Sequence, residues 1–290
     1  MQNNSQTIAL MKLLDDPDNH VFTSIKDKIC SYGTPIISEL LAKKLNPSTE
    51  ALTVKRIEAL IQTIKFYELR NDLINWKTTN SHNLIDGSLL ICKYAFPDIN
   101  NNEIIDKLDK ILDKAQSVLT KDMKPIKKIS IINKVLYGDF KLKGNVSNFY
   151  DPNNYYLNAV LKQRKGSPII LSIIYSYIAQ KLNMPIFGIN LPQHFVVGYM
   201  EEMPKHPIKD DLKNLKVNFY INPFNKGLIF HAIDIDIYLK QLNIKSKAEY
   251  YQPCSNEEII KRILRSLTGT YESHNEFTKG KELKELMSVL

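Results

Sequence analysis

The sequence predicts a predominantly helical α+β protein, and three observations carry that prediction. From Ile8 to about Leu119, apolar residues recur at three- and four-residue spacing between short polar, Pro or Gly breaks. Residues of β-strand character gather in one stretch, from Ile186 to Ile221. Beyond it, Ser255 to Leu290 returns to helical spacing as a pair of helices. The expected plan is an N-terminal α-helical array over 1–122, a core with a small antiparallel sheet over 123–245, and a C-terminal helical hairpin over 246–290, similar to a tetratricopeptide unit.

The elements follow in order. Ile8 to Leu14 reads as a short helix. A second, capped by Asp18 or Asn19, carries Val21, Ile25 and Ile29 and stops at Gly33. Thr34-Pro35 reads as an N-cap with proline at the first helical position, followed by an inward face of Ile36, Ile37, Leu40 and Leu41. Pro47-Ser48-Thr49 starts a long helix that ends near Trp76, and two more run from Leu84 to Tyr94 and, capped by Asn102, from Glu103 to Leu119. A helix from Ile126 to Leu136 gives way to Gly138–Asn145, which reads as a loop. Ser167-Pro168 then opens a helix that is apolar nearly all the way round, as a buried central helix must be, and that ends at Asn183. Strand-like runs follow at Ile186–Asn190, His194–Met200 and Val217–Ile221, with Asn225-Lys226-Gly227 as a turn. Asp234–Leu242 is a short helix, and Ser255 caps the first helix of the final pair.

Composition excludes several classes. No stretch reaches the ~18 consecutive apolar residues of a membrane span, and the N-terminus lacks a basic segment and cleavage site, so a soluble cytoplasmic chain is expected. The three cysteines, Cys30, Cys92 and Cys254, are far apart and follow no metal-ligand spacing. His20, His82, His206, His231 and His274 are scattered, so neither a metal nor another cofactor is expected. The net charge of +8 comes from lysines interspersed with acids. Its densest cluster, Lys121, Lys124, Lys127 and Lys128, has no neighbouring aromatics to stack on bases, which reads as solvated surface rather than a nucleic-acid interface. Tyr250, Tyr251 and Tyr271 read as packing residues.

The informative segment runs from Gly144 to Gly227. It contains Asp151-Pro-Asn-Asn-Tyr-Tyr-Leu-Asn, then Arg164-Lys-Gly-Ser-Pro168, the buried helix, Leu191-Pro-Gln-His-Phe195, and Tyr220-Ile-Asn-Pro-Phe-Asn-Lys-Gly227. This ordered set resembles the SirB family of bacterial transglutaminase-like proteins, with looser similarity in the flanking helices. The resemblance implies a papain/transglutaminase-like core. In that wider group a cysteine stands at the N-terminus of the central helix, where the helix dipole lowers its pKa. A histidine at the start of a following strand acts as base, and an Asp or Asn on the next strand orients it.

Carried onto this sequence, the resemblance puts His194 in the histidine place and Asn222 in the orienting place. The cysteine place falls at about Pro168, beside Ser167, and no cysteine is there. Cys92 belongs to an upstream helix, and Cys254 comes after His194. A proline has no nucleophilic atom, and a serine hydroxyl at a helix start has a simpler use as an N-cap contributing ~1 kcal/mol. The residues expected around this place are Tyr155, Tyr156, Asn158, Arg164, Lys165 and Gln193, with Arg164 and Lys165 able to attract an anion.

Two functions compete. The first is a non-catalytic protein with an interaction or regulatory role, whose cleft binds a protein or peptide partner. The alternative is an amide or ester hydrolase or acyl transferase that uses Ser167 or Cys254 with His194 and Asn222.

Overall fold

A computed structural model of the chain describes residues 2–79, 83–120, 122–203 and 215–290, with side chains from Ser5 onward. Lys121, His82 and His206 therefore lie outside the described residues. By internal packing the chain divides into two compact units, Met1–Asp72 and Leu73–Leu290.

The first unit is helical: α1 (Gln2–Leu13), α2 (Asn19–Cys30), α3 (Ile37–Leu45) and the first part of α4 (Ala51–Thr79). The apolar spacing of each helix delivers one face to a shared core of Leu10, Leu14, Ile25, Ile29, Ile36, Leu40, Ile57, Leu60 and Ile64. Asp18 caps α2 as expected, its carboxylate accepting the His20 N–H at 2.7 Å. Thr34 does not cap α3. Gly33, at φ +67°, leads into a 3₁₀ turn over Thr34–Ile36, and α3 begins only at Ile37. Leu41, expected inside, is 43% exposed.

Arg56 is buried in this unit, with both terminal nitrogens engaged and only Nε left without a hydrogen-bond partner. Nη1 donates to the carbonyls of Leu14 (3.1 Å) and Asp16, and Nη2 to Asp18 O (3.4 Å) and Asn19 Oδ1 (3.0 Å). The Phe22 ring lies 4.8 Å from it. One side chain thus ties together the carbonyls of the connection between α1 and α2.

The second unit adds α5 (Leu84–Ala95), α6 (Asn101–Gln116) and α7 (Pro125–Asn133), the last running on into a π-helical turn, Lys134–Asp139. Asn100, not Asn102, caps α6: its side chain accepts the Asn102 N–H at 3.1 Å. Part of the predicted loop is ordered as β1 (Lys143–Gly144), which pairs in parallel with β2 (Lys165–Gly166). That pairing needs Gly144, where a Cβ would sit 2.6 Å from the Phe224 ring. Between the two strands lie a 3₁₀ turn, Pro152–Tyr155, and the short helix α8 (Leu157–Gln163).

Helix α9 (Pro168–Lys181) is the central element, and every residue from Pro168 to Ser176 is buried. Its end at Asn183 takes the left-handed conformation, φ 56°. The chain continues into an antiparallel sheet in the order β3 (Ile186–Ile189), β4 (Val196–Met200), β5 (Val217–Asn222) and β6 (Leu228–Phe230). Helix α10 (Ala232–Gln241) follows. Then come α11 (Asn256–Ser273), held by a Ser255–Glu258 capping box, and α12 (Phe277–Ser288), which packs back on α11. Among the described residues no helix is long and apolar enough to cross a membrane.

Candidate functional site

Three elements of the second unit meet around His194: the start of α9, the segment leading into β4, and the end of β5. A partly buried polar chain links the central helix to the end of β5. Tyr175, in the buried face of α9, donates its hydroxyl to Asn133 Oδ1 at 2.9 Å, and Asn133 Nδ2 donates to the Gly227 carbonyl at 3.0 Å. Gly227 has φ +73°, and a Cβ there would strike Asn133 at 2.1 Å, so only glycine closes this turn. The Gly227 N–H returns to the Asn222 carbonyl at 2.9 Å, and Asn222 Oδ1 accepts from Asn225 N at 3.2 Å. The α9 core thereby sets the place of the Asn222 side chain.

Burial is the largest influence on the His194 imidazole and lowers its pKa. The Asn222 side chain pulls the other way, and the Arg262 charge lowers it further. The result is a neutral imidazole at neutral pH, with the Phe224 ring edge-on at 6.1 Å.

His194 opens onto a cleft of about 230 Å³. Tyr155, Gln193 and Pro168 border it too, so the sequence-predicted histidine and the empty cysteine place share one cavity. Gln193 reaches it from a left-handed backbone, φ 58°, which a side chain of this size adopts only under local constraint. Phe149 forms one wall, on a loop held by Asn154. That buried amide accepts from Asn145 Nδ2 at 2.9 Å and donates to the carbonyls of Asn148 (2.7 Å) and Phe149 (3.2 Å).

Ser167 is near in sequence and absent from the lining. It is 3% exposed, and its hydroxyl caps α9, accepting from Ile170 N at 3.5 Å. Cys254 is elsewhere as well: its thiol donates to the Gly188 carbonyl at 3.4 Å, and burial holds its pKa well above the ordinary thiol value. Cys92 is likewise pushed up to about 11 by burial, and Cys30 is raised for the same reason. No thiol here is activated as a helix N-terminus would activate it.

Several expected ligand residues are not in the cleft. Tyr156 is 1% exposed, and its hydroxyl pairs with that of Tyr271 at 3.0 Å, so it belongs to the core. Arg164 ends α8 in the left-handed conformation, φ 59°, with its side chain exposed, while Lys165 is tied into β2. Neither borders the cavity, nor does Asn158. The cation that does is Arg262 on α11, accompanied by Ser266 one turn later. Sequence reasoning missed it because α11 reads as an ordinary amphipathic helix. The available signal was its place between Ile259 and Ile263, at the edge of the buried stripe.

A larger hollow, about 430 Å³, borders the other half of α9 at Ser176, Gln180 and Lys181. The smaller one holds His194 and the vacant cysteine place, so we take it as the candidate site. Among the described residues no group of three His, Cys, Asp or Glu side chains is placed to hold a metal ion. His231 contributes to the capping box of α10, and His274 Nδ1 lies 2.9 Å from the Thr270 carbonyl.

Comparison with known proteins adds the family context. A family model described as transglutaminase-like superfamily matches residues 102–265. A UPF0162 protein of Xylella fastidiosa (strain 9a5c) is 26% identical over 207 residues, covering 68% of each chain. UPF0162 protein YchA of Escherichia coli (strain K12) is 24% identical over 202 residues, 68% of this chain and 70% of that one. F-box only protein 21 of Mus musculus is 37% identical over 99 residues, which are 34% of this chain and 15% of that protein. No solved structure matches the chain.

Proposed function

We propose that this chain, which belongs to the transglutaminase-like superfamily, uses the cleft at His194 to bind a protein or peptide partner without catalysing a reaction on it. The finer placement among SirB-type proteins rests on the ordered motifs from Gly144 to Gly227. The observation that carries the proposal is the start of α9: Pro168 borders the cleft where a nucleophile would stand, and the neighbouring hydroxyl of Ser167 is turned into the helix as its cap. A neutral imidazole with an amide neighbour then has no proton to take from a nucleophile, and Asn222 cannot stabilise an imidazolium as a carboxylate does.

What remains is a shaped, largely apolar recess with a few polar groups, which is the composition of a recognition site. Beside it Tyr150, 62% exposed, lies edge-on to the Phe149 ring at 5.8 Å and offers a side chain to a partner. On this reading the cleft belongs to the 123–245 core together with one helix of the 246–290 pair, and 1–122 is scaffold.

Titrating a mixed tripeptide library into ¹⁵N-labelled protein tests the reading. Shifts should concentrate on His194, Phe149 and Tyr155 and weaken in His194→Ala. A library that moves no resonance around His194 would remove the cleft from the function.

A further inference from the structure

Arg262 sits in the cleft wall without a carboxylate partner among the described residues. Burial is the largest influence on it and lowers its pKa, as does the like-charged Arg265 one turn along α11, while Tyr155, Tyr238 and Cys254 act the other way. Tyr238 is itself engaged, donating to the Pro192 carbonyl at 2.9 Å. Arg56 shows how this fold treats a buried guanidinium that serves structure, giving it three carbonyls and an amide oxygen. A guanidinium drawn partly out of water without a counter-charge leaves its desolvation uncompensated, and an anion in the cleft would supply that counter-charge.

We infer that Arg262 makes this cleft a carboxylate-binding site, taking one carboxylate carried on a small apolar body such as the terminal or an acidic residue of a peptide. The inference rests on the reading of the cleft as a binding site and adds the group that is recognised. Three features select the chemistry. The guanidinium fork matches the two oxygens of a carboxylate. Among the described residues it is the one cation in the lining, since His194 is neutral, so a singly charged anion is balanced and a phosphate dianion is not. Most of the remaining lining, Phe149, Tyr155, Pro168, Ile169 and Phe195, is apolar or aromatic, with Gln193 and Ser266 as the polar exceptions. The size agrees, because about 230 Å³ falls below the ~300 Å³ of the smallest drug-sized pockets and suits one residue rather than a folded strand.

The test uses the full chain and defined probes, followed by NMR at the Arg262 Nε–Hε and the cleft amides. N-acetylleucine carries a free α-carboxylate, N-acetylleucinamide lacks it, and N-acetylglutamic acid α-amide moves it to a side chain. At least one of the two acids should bind saturably and about tenfold more tightly than the leucinamide, and which acid binds better identifies the source of the carboxylate. Arg262→Met should lose that preference while melting at the same temperature or a few degrees higher. Arg262→Lys, which keeps the charge and loses the fork, should bind the acid more weakly than wild type.

Equal binding of acid and amide would overturn the carboxylate assignment and leave a binding cleft standing. Absence of acid binding, or displacement of the acid by inorganic phosphate at lower concentration, would also overturn it. So would an Arg262→Met protein that melts lower and still prefers the acid, because Arg262 would then be a structural residue.

Discussion

Arg56 in the N-terminal unit and Arg262 in the wall of the cleft are both drawn away from water, and they are held in opposite ways. Arg56 is 4% exposed and spends its guanidinium tip on the carbonyls of Leu14, Asp16 and Asp18 and on Asn19. Arg262 is half-buried among tyrosines and beside a second arginine, with no acid to pair with among the described residues. The first stitches a helix end to its neighbours. The second is a charge prepared for something the folded chain does not itself supply. Buried position alone therefore does not tell scaffold from site. The state of the partners does.

The contrast makes the largest expected effect fall at Arg56. Arg56→Met strands several buried acceptors and should cost about 3 kcal/mol in urea unfolding, whereas Arg262→Met should cost nothing. A loss at Arg56 no greater than that at Arg262 would break the distinction between the two. An intermediate effect is expected at Ser167. Ser167→Ala removes the cap of α9 and should destabilise by about 1 kcal/mol, with peptide binding at the cleft unchanged. A substitution without any stability change would argue that the hydroxyl has another use.

The smallest effect should come from His194. Its pKa is lowered in the folded chain, by burial first and by Arg262, against the pull of Asn222, from an ordinary value of 6.5. As pH falls through that value, the unfolded chain takes up a proton that the folded chain declines. Stability is therefore lost across this window and levels off below the folded pKa. Melting temperatures measured from pH 7.5 down to 5.5 should fall more steeply for the native chain than for His194→Gln. Parallel slopes would mean the imidazole is not held neutral.

Much of this arrangement is legible in the sequence, and the legible parts are local. Ser167-Pro168 announces the start of α9, the apolar run behind it announces burial, and Asn183 announces the end, because capping and left-handed turns depend on a few adjacent residues. Asp18 and the Ser255–Glu258 box are readable for the same reason. His194 and Asn222 could be placed only by resemblance, since their meeting depends on the register of β4 against β5, with Val197 opposite Ile221. The β1–β2 pair is two residues long on each side and 22 residues apart from Lys143 to Lys165, too short to leave a pattern. Tyr155 and Tyr156 show the limit most clearly. They are adjacent and chemically identical, yet the turn before α8 sends one to the cleft and the other into the core against Tyr271. Arg262 escaped notice because charge on an amphipathic helix looks the same whether its partner is water, an acid or an absent ligand.

The central claim is that the cleft keeps its histidine and has no working nucleophile. Intact-protein and peptide mass spectrometry after treatment with serine- and cysteine-directed acylating probes measures this directly. Neither Ser167 nor Cys254 should carry an adduct whose formation depends on His194. An adduct on either residue in the native chain that disappears in His194→Ala would contradict the account and make the protein an acyl-transferring enzyme.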